Sequence, residues 1–289
     1  MDVPFDHLQA RRINNMTTAT LNNHTFDFIS NLVRNKAAIV LEPSKAYLIE
    51  SRLNPVAREN GLDSLEQLVT ALQRPGSQKL NQSVIEAMTT NETSFFRDLH
   101  PFDALRQTII PELIQKRSKE RSLTIWSNAC SSGQEVYTIA MVIREYFPEL
   151  LGWKLKLIAS DLSTQILDKA RQGIFNQTEV NRGLPMPMLL KNFEKKGIAW
   201  QIKEDIRKMV EFKVINLVEP FPFMPTPDIV FLRNVLIYFA PEMKRDILNK
   251  VHKMMKPDGF LFLGGAETTM NLNVAFERTQ IGKAICYKP

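Results

Sequence analysis

Cysteine is scarce in this chain, with only Cys130 and Cys286 among 289 residues. Two thiols cannot form a disulfide framework, and that points to a reducing compartment. No apolar run approaches the roughly 18–20 residues of a membrane span. The first residues, MDVPFDHLQARR, lack the basic-then-apolar order of a secretory signal. Histidine is nearly as sparse: His7, His24, His100 and His252 lie far apart without metal-ligand spacing, so no metal is expected. These absences predict a soluble cytoplasmic protein without membrane insertion.

What is present supports a packed core: 44% of residues are hydrophobic. The net charge of +6 favours an acidic partner. Nucleic acid, anionic lipid and a Glu-rich protein surface all satisfy it, and so does solubility alone.

Along the chain the character changes once. Residues 1–23 are polar and predict a flexible arm, in which Phe5, Leu8 and Ile13 can dock as a short helix. From residue 24 to residue 90 apolar residues recur at helical spacing: Phe26, Ile29, Leu32 and Val33, then Tyr47, Leu48 and Leu53, then Leu65, Leu68, Val69 and Leu72, then Leu80, Val84, Ile85 and Met88. About four helices follow, with Gly61 as a stop, Asp63-Ser64 as a start, and a kink or break at Pro55. After Asn91 strands alternate with helices. Leu123–Ala129, Lys154–Ser160, Val210–Leu217, Asp228–Leu232 and Phe260–Leu263 read as strands, and Phe276–Tyr287 as two short strands around Gly282. Pro241 opens a helix at a position where its missing N–H costs nothing. This is an α/β pattern, a parallel sheet covered on both faces. Ligands of such sheets bind at the carboxyl ends of the strands, where the strand order reverses.

Four strands end in polar residues. Ala129-Cys130-Ser131-Ser132-Gly133-Gln134-Glu135 follows the first, with small residues that let the backbone approach a ligand or simply make a tight turn. Asp161 closes the second strand, where a carboxylate either accepts both hydroxyls of a ribose or N-caps the next helix. Asn216 at the third suits an adenine edge or a turn. Arg233-Asn234 at the fourth demand a partner, because unpaired burial is costly. The junction segment Asn91-Glu92-Thr93-Ser94-Phe95-Phe96-Arg97-Asp98 is too rich in polar donors for a plain linker.

In this order, NETSFFRD, WSNACSSGQE, ASDLS, INL and FLRNVLIYF resemble the chemotaxis receptor glutamate methyltransferases of the CheR family, from about Thr25 to Tyr287. The resemblance implies a small N-terminal all-helical domain (24–90) and an S-adenosylmethionine-binding methyltransferase domain (91–289). The latter is Rossmann-like, with a mostly parallel seven-stranded sheet and a small antiparallel β-subdomain inserted at about 173–210. It implies cofactor contacts at Asn91, Thr93, Arg97, Ala129, Glu135, Asp161, Asn216, Leu217, Arg233 and Asn234, and it places Tyr238 beside Arg97 in the active site. The implied reaction methylates glutamates of chemoreceptor cytoplasmic helices and leaves S-adenosylhomocysteine.

A glutamate is already an anion at neutral pH, so the nucleophile needs no general base. Arg97 and Tyr238 are then expected to orient carboxylate and cofactor, with Asp161 on the ribose. Lys45, Arg52 and Arg58 around the second helix are expected to dock acidic receptor helices, with a solvated helix face as the plain alternative. The short connection Lys195-Lys196-Gly197-Ile198-Ala199-Trp200 looks shorter than in relatives that grip a receptor pentapeptide, and predicts independence of it. Two rivals remain. A nucleic-acid amino-methyltransferase would show Asp/Asn-Pro-Pro-aromatic where Arg233-Asn234-Val235-Leu236 stands, so no nucleic-acid partner is expected. A sensor without catalysis would not need Arg97, Asp161 and Tyr238 together. A monomer is the expected state.

Overall fold

The computed structural model describes residues 21–289. The arm expected over residues 1–23 therefore lies, up to residue 20, outside the described residues, with Phe5, Leu8 and Ile13 in it.

Four helices come first: α1 (Asn23–Ala37), α2 (Ala46–Glu59), α3 (Leu65–Leu72) and α4 (Gln78–Met88). Local chemistry sets their limits. The Asn22 side chain accepts from Thr25 N at 2.7 Å and Ser64 from Gln67 N at 3.2 Å, each satisfying an orphan donor of a first turn. Gly61, at φ 70°, follows the end of α2. Ile29 and Val33, Ile49 and Leu53, Leu68 and Leu72, and Val84 and Met88 recur at helical spacing and meet in one buried cluster.

Of the kink or break expected at Pro55, the break does not occur, for α2 runs unbroken through it. Pro55 removes the N–H that would bond to Ser51 O, and both residues are exposed, so water can serve the carbonyl. Leu53, Val56 and Ala57 hold the opposite face in the core.

The rest of the chain builds a sheet with helices on both faces. Helices α5 (His100–Ala104) and α6 (Ile110–Lys116), joined by a π-helical turn, lead into β1 (Ser122–Asn128) and α7 (Gln134–Tyr146). Then follow β2 (Lys154–Asp161) and α8 (Thr164–Gln172). The insertion holds β3 (Ile174–Phe175), α9 (Gln177–Asn181), α10 (Met186–Asn192), β4 (Phe193–Lys196), β5 (Ala199–Ile202) and α11 (Glu204–Arg207). The chain returns through β6 (Val210–Val214), β7 (Ile229–Leu232), α12 (Pro241–Met254), β8 (Phe260–Leu263), β9 (Glu277–Ile281) and β10 (Ala284–Lys288).

The main sheet has seven strands in the order β6-β2-β1-β7-β8-β10-β9, parallel from β6 to β8 and antiparallel at β10 and β9. The insertion forms a separate antiparallel sheet, β3-β5-β4. Ile229 and Phe231 of β7 join one core and Val230 and Leu232 the other, which is why the strand reads as continuously apolar. Order reverses at β1, with β2 on one side and β7 on the other, so the crevice opens at the carboxyl ends of these strands. The third strand ends earlier than its apolar run predicts, at Val214. Asn216 stands two residues past it, where Ile215 N still bonds to Asp161 O at 3.0 Å.

Candidate functional site

A cavity of about 170 Å³ occupies that crevice. Its walls come from the ends of β1, β2 and β7, the segment after β6, the junction 89–97, and the helical unit through Ala37, Ile39–Leu41, Lys45, Leu48, Arg52 and Met88. All the residues expected at cofactor or substrate line it: Asn91, Thr93, Arg97, Ala129, Glu135, Asp161, Asn216, Leu217, Arg233, Asn234 and Tyr238. Of the three expected docking residues, Lys45 and Arg52 line it and Arg58 does not. Six residues beyond Arg52 on a helix, Arg58 is rotated about 120° away, so the three share no single face. Arg52 also turns inward, donating to Met88 O at 2.8 Å, Thr89 O at 3.0 Å and Thr90 Oγ1 at 3.1 Å.

The turn after β1 is strained and held. Ala129 and Ser131 have φ of 52°, and Gly133 has φ of 93°. Asp161 fastens it: Oδ2 accepts from Ser131 N at 2.9 Å, while Oδ1 accepts from Ser163 N at 3.0 Å. The N-cap of α8 is Ser163, not Asp161, so the capping alternative for this carboxylate falls away. Burial pushes the Asp161 carboxyl above its ordinary value, and N–H groups of Ser163, Ser131 and Leu162 offset only part of that. Cys130 is buried in the same turn. Burial first, then the charges of Asp161 and Glu135, push its thiol well up, which removes it as a nucleophile near neutrality.

Arg233 carries the junction. Its buried guanidinium donates to Glu135 Oε2 at 2.8 Å, Asp98 Oδ2 at 2.7 Å and Arg97 O at 2.9 Å. Glu135 is steadied from behind by Ser127 Oγ at 2.8 Å. The junction needs this support, because Phe96, Asp98 and Leu99 have φ of 48°, 62° and 31°. Phe95 is wedged between Phe175 and Phe193 of the insertion at 5.1 and 5.7 Å. Phe96 N donates to Thr138 Oγ1 at 3.2 Å, and Arg97 Nη1 to Glu92 O at 3.1 Å. Three of the five N–H donors of Arg233 are thus committed to protein, while Nε has no partner and is left for the cofactor contact expected of this residue.

Asn216 is likewise engaged: Nδ2 donates to Lys36 O at 2.8 Å, and Oδ1 accepts from Val218 N at 3.2 Å. Asn234 has φ of 58° and is held through its N–H by Glu267 Oε2 at 2.8 Å. Glu267 also accepts from Gly264 N at 2.6 Å and Ile237 N at 3.3 Å, so one carboxylate ties the ends of β7 and β8 and the turn that carries Tyr238.

Three residues at or behind the cavity escape sequence reasoning: Asn128 on its lining, Glu267, and Glu86 of α4, whose carboxylate accepts from Ser163 and Thr164 beside Asp161. Asn128 lies inside the predicted strand LTIWSNA, and a polar residue closing an apolar strand was the available signal. Glu267 follows Gly264-Gly265 in a loop with no periodicity to mark it. Glu86 belongs to an amphipathic helix, among core positions.

Two buried donors on the cavity lining lack a partner, Nδ2 of Asn128 and Nε of Arg233. Such donors fit a ligand rich in acceptors. Among the described residues no group of three or more His, Cys, Asp or Glu side chains is arranged to hold a metal ion. No helix among them is long and apolar enough to cross a membrane.

Comparison with known proteins agrees with this geometry. The model of the CheR methyltransferase SAM-binding domain matches residues 91–285, and that of the CheR methyltransferase all-alpha domain matches residues 24–89. Chemotaxis protein methyltransferase 1 of Pseudomonas aeruginosa is 41% identical over 272 residues, covering 92% of this chain and 98% of that protein. A chemotaxis protein methyltransferase of Pseudomonas putida is 39% identical over 271 residues, 92% of this chain and 98% of its own. One from Vibrio parahaemolyticus is 36% identical over 277 residues, 94% and 99%.

Proposed function

Because this chain belongs to the CheR methyltransferase family and is an S-adenosylmethionine-dependent methyltransferase of chemotaxis, we propose that it esterifies glutamate side chains on chemoreceptor cytoplasmic helices. The observation that carries the reading is the meeting of Arg97 and Tyr238 in one cavity with the polar strand ends, on a lining that contains no histidine. A carboxylate nucleophile is ionised at neutral pH and needs no base there. When bound, the cofactor supplies a methyl group on a positively charged sulfur.

The remaining work is positioning and exclusion of water. In this reading Arg97 and Tyr238 orient the substrate carboxylate and the reacting end of the cofactor. Asp161 accepts the ribose hydroxyls on lone pairs its backbone donors leave over. Asn128 Nδ2 and Arg233 Nε are the donors for the cofactor's acceptor groups. Asn91, Thr93, Ala129, Glu135, Asn216, Leu217 and Asn234 complete its walls. Glu135 and the outer guanidinium of Arg233 act mainly by holding the others.

Lys45, Arg52 and Arg58 are proposed to dock the acidic receptor helix. With Arg52 committed to junction carbonyls and Arg58 turned to another face, exposed Lys45 on the cavity lining is left to meet it most directly. The same reading has a monomer at work in the cytoplasm on protein, not nucleic acid, which light scattering checks in solution.

The experiment is transfer of labelled methyl to receptor cytoplasmic fragments, with a control fragment whose methylation-site Glu are changed to Gln. Base-labile label on the Glu form alone supports the proposal, and label on both or on neither refutes it. In the same assay Arg97→Ala should abolish turnover while the protein stays folded, and Lys45→Glu should raise KM for the fragment alone.

A further inference from the structure

The helical unit does more than cover the crevice, and one buried carboxylate shows how. Glu86, on the last turns of α4, is 5% exposed. Oε2 accepts from Ser163 Oγ at 2.9 Å and Gln165 N at 3.2 Å. Oε1 accepts from Gln82 Nε2 at 2.8 Å, Thr164 N at 3.1 Å and Thr164 Oγ1 at 2.9 Å. Its partners outside its own helix all come from the first turn of α8, whose free N–H groups favour an anion. Glu86 is that anion, supplied from the other unit of the fold.

The contact leads directly to the cavity. Ser163 joins two carboxylates: its hydroxyl donates to Glu86, and its N–H donates to Asp161 at 3.0 Å. Asp161 in turn holds Ser131 N of the strained turn after β1. Gln82, beside Glu86, also donates to Leu162 O at 3.4 Å, and Leu162 lines the cavity next to Asp161. A wall ordered before the ligand arrives costs the ligand less to bind.

We propose that Glu86 is a positioning residue for the cofactor, transmitting the seating of the helical unit through Ser163 to Asp161, so that cofactor binding and unit docking are thermodynamically coupled. Coupling of this kind is reciprocal. Cofactor bound at Asp161 tightens the α4–α8 contact, and loosening that contact weakens the cofactor. The inference rests on the family's cofactor alone and is independent of which protein is methylated.

The test uses the full chain and S-adenosylhomocysteine as probe. Glu86→Gln keeps the shape and replaces one acceptor by a donor facing donors. We expect its dissociation constant for the probe, by calorimetry, to rise about tenfold, within the usual range of coupling between sites. KM for S-adenosylmethionine should rise with it, while kcat and KM for the protein substrate stay within about twofold. In hydrogen exchange, the probe should protect residues 78–88 of the unaltered chain and lose that effect in the variant. Lower stability with unchanged probe affinity in the folded variant would mean a merely structural contact and overturn the proposal. If Glu86→Gln does not fold, Thr164→Val, which removes one donor from the same carboxylate, decides. A two- to threefold weaker probe affinity supports the coupling, and unaltered affinity overturns it.

Discussion

Replacing Arg233 by Met should destabilise the protein about twice as much as removing the charges of Arg233 and its partner Glu135 together. The guanidinium side chain is 2% exposed, and the Glu135 side chain 12%. Met keeps much of the volume but leaves Glu135 with Ser127 Oγ as its remaining hydrogen-bond partner. Orphaning one member of a buried pair costs about 3–5 kcal/mol. The bond to Asp98 adds little, because that carboxylate is half exposed at 50% and rehydrates. The lower figure, about 3 kcal/mol, is therefore the expectation, which for a chain of this size lowers Tm by roughly 6–12 °C. Arg233→Met with Glu135→Gln removes both charges and should recover about half of the loss. Urea denaturation of the two single variants and the double variant, at fixed pH and without cofactor, gives the coupling energy. A coupling below about 1 kcal/mol would refute the assignment of Arg233 as the strut of the junction.

Gly183→Ala should also misplace the junction. At φ 89° its Cβ would stand 2.1 Å from Phe95 O, so the chain that carries Arg97 must move; a loss of about 1–3 kcal/mol with reduced turnover is expected, and an unaltered Tm would count against it. Acid should loosen the α4–α8 contact. Burial pushes the Glu86 carboxyl up, yet bonds from Gln82, Thr164, Gln165 and Ser163 outweigh it and hold the group below its ordinary value of 4.5. A depressed carboxylate stabilises the fold above its unfolded value and loses that contribution as pH falls through the folded one. The urea stability gap between the unaltered chain and Glu86→Gln should therefore shrink below about pH 4.5. Asp161, which faces Glu86 and is shifted upward, is present in both proteins and favours the native state as it protonates, so it does not mimic this loss. A gap independent of pH would refute the assignment. Finally, the tight turn at Gly197-Ile198 joining β4 to β5 supports the proposal that no receptor pentapeptide is gripped, and calorimetry showing tight binding of such a peptide would overturn it.

The strand ends were legible because their residues break a rule: polar groups closing apolar strands need partners, and Asp161, Arg233 and Asn234 do converge on one cavity. Ser64 and Pro241 marked helix starts through donor chemistry that is purely local. Pro55, read as a possible break, misled for the converse reason. Its cost depends on whether the freed carbonyl meets water or core, and that is decided by the tertiary face of α2. The commitments of Arg233 span 98 to 136 residues of chain and those of Glu86 to α8 span 77–79, beyond the reach of any periodicity. Glu86 in particular sits among Val84, Ile85 and Met88, and only the packing of α4 on α8 shows that its surroundings are donors.

The bond from Asn216 to the last turn of α1, with the cluster around Glu86, bears on how such chains can recombine. A chimera that joins the helical half of one relative to the sheet half of another at residue 90 would look innocuous as a linear splice. It would nevertheless separate Glu86 from the Ser163-Thr164 pair and Lys36 O from Asn216. Compatible exchanges must carry those partners across together, so the segments 161–165 and 215–217 travel with the helical half as one inherited block, although they lie on the other side of the splice.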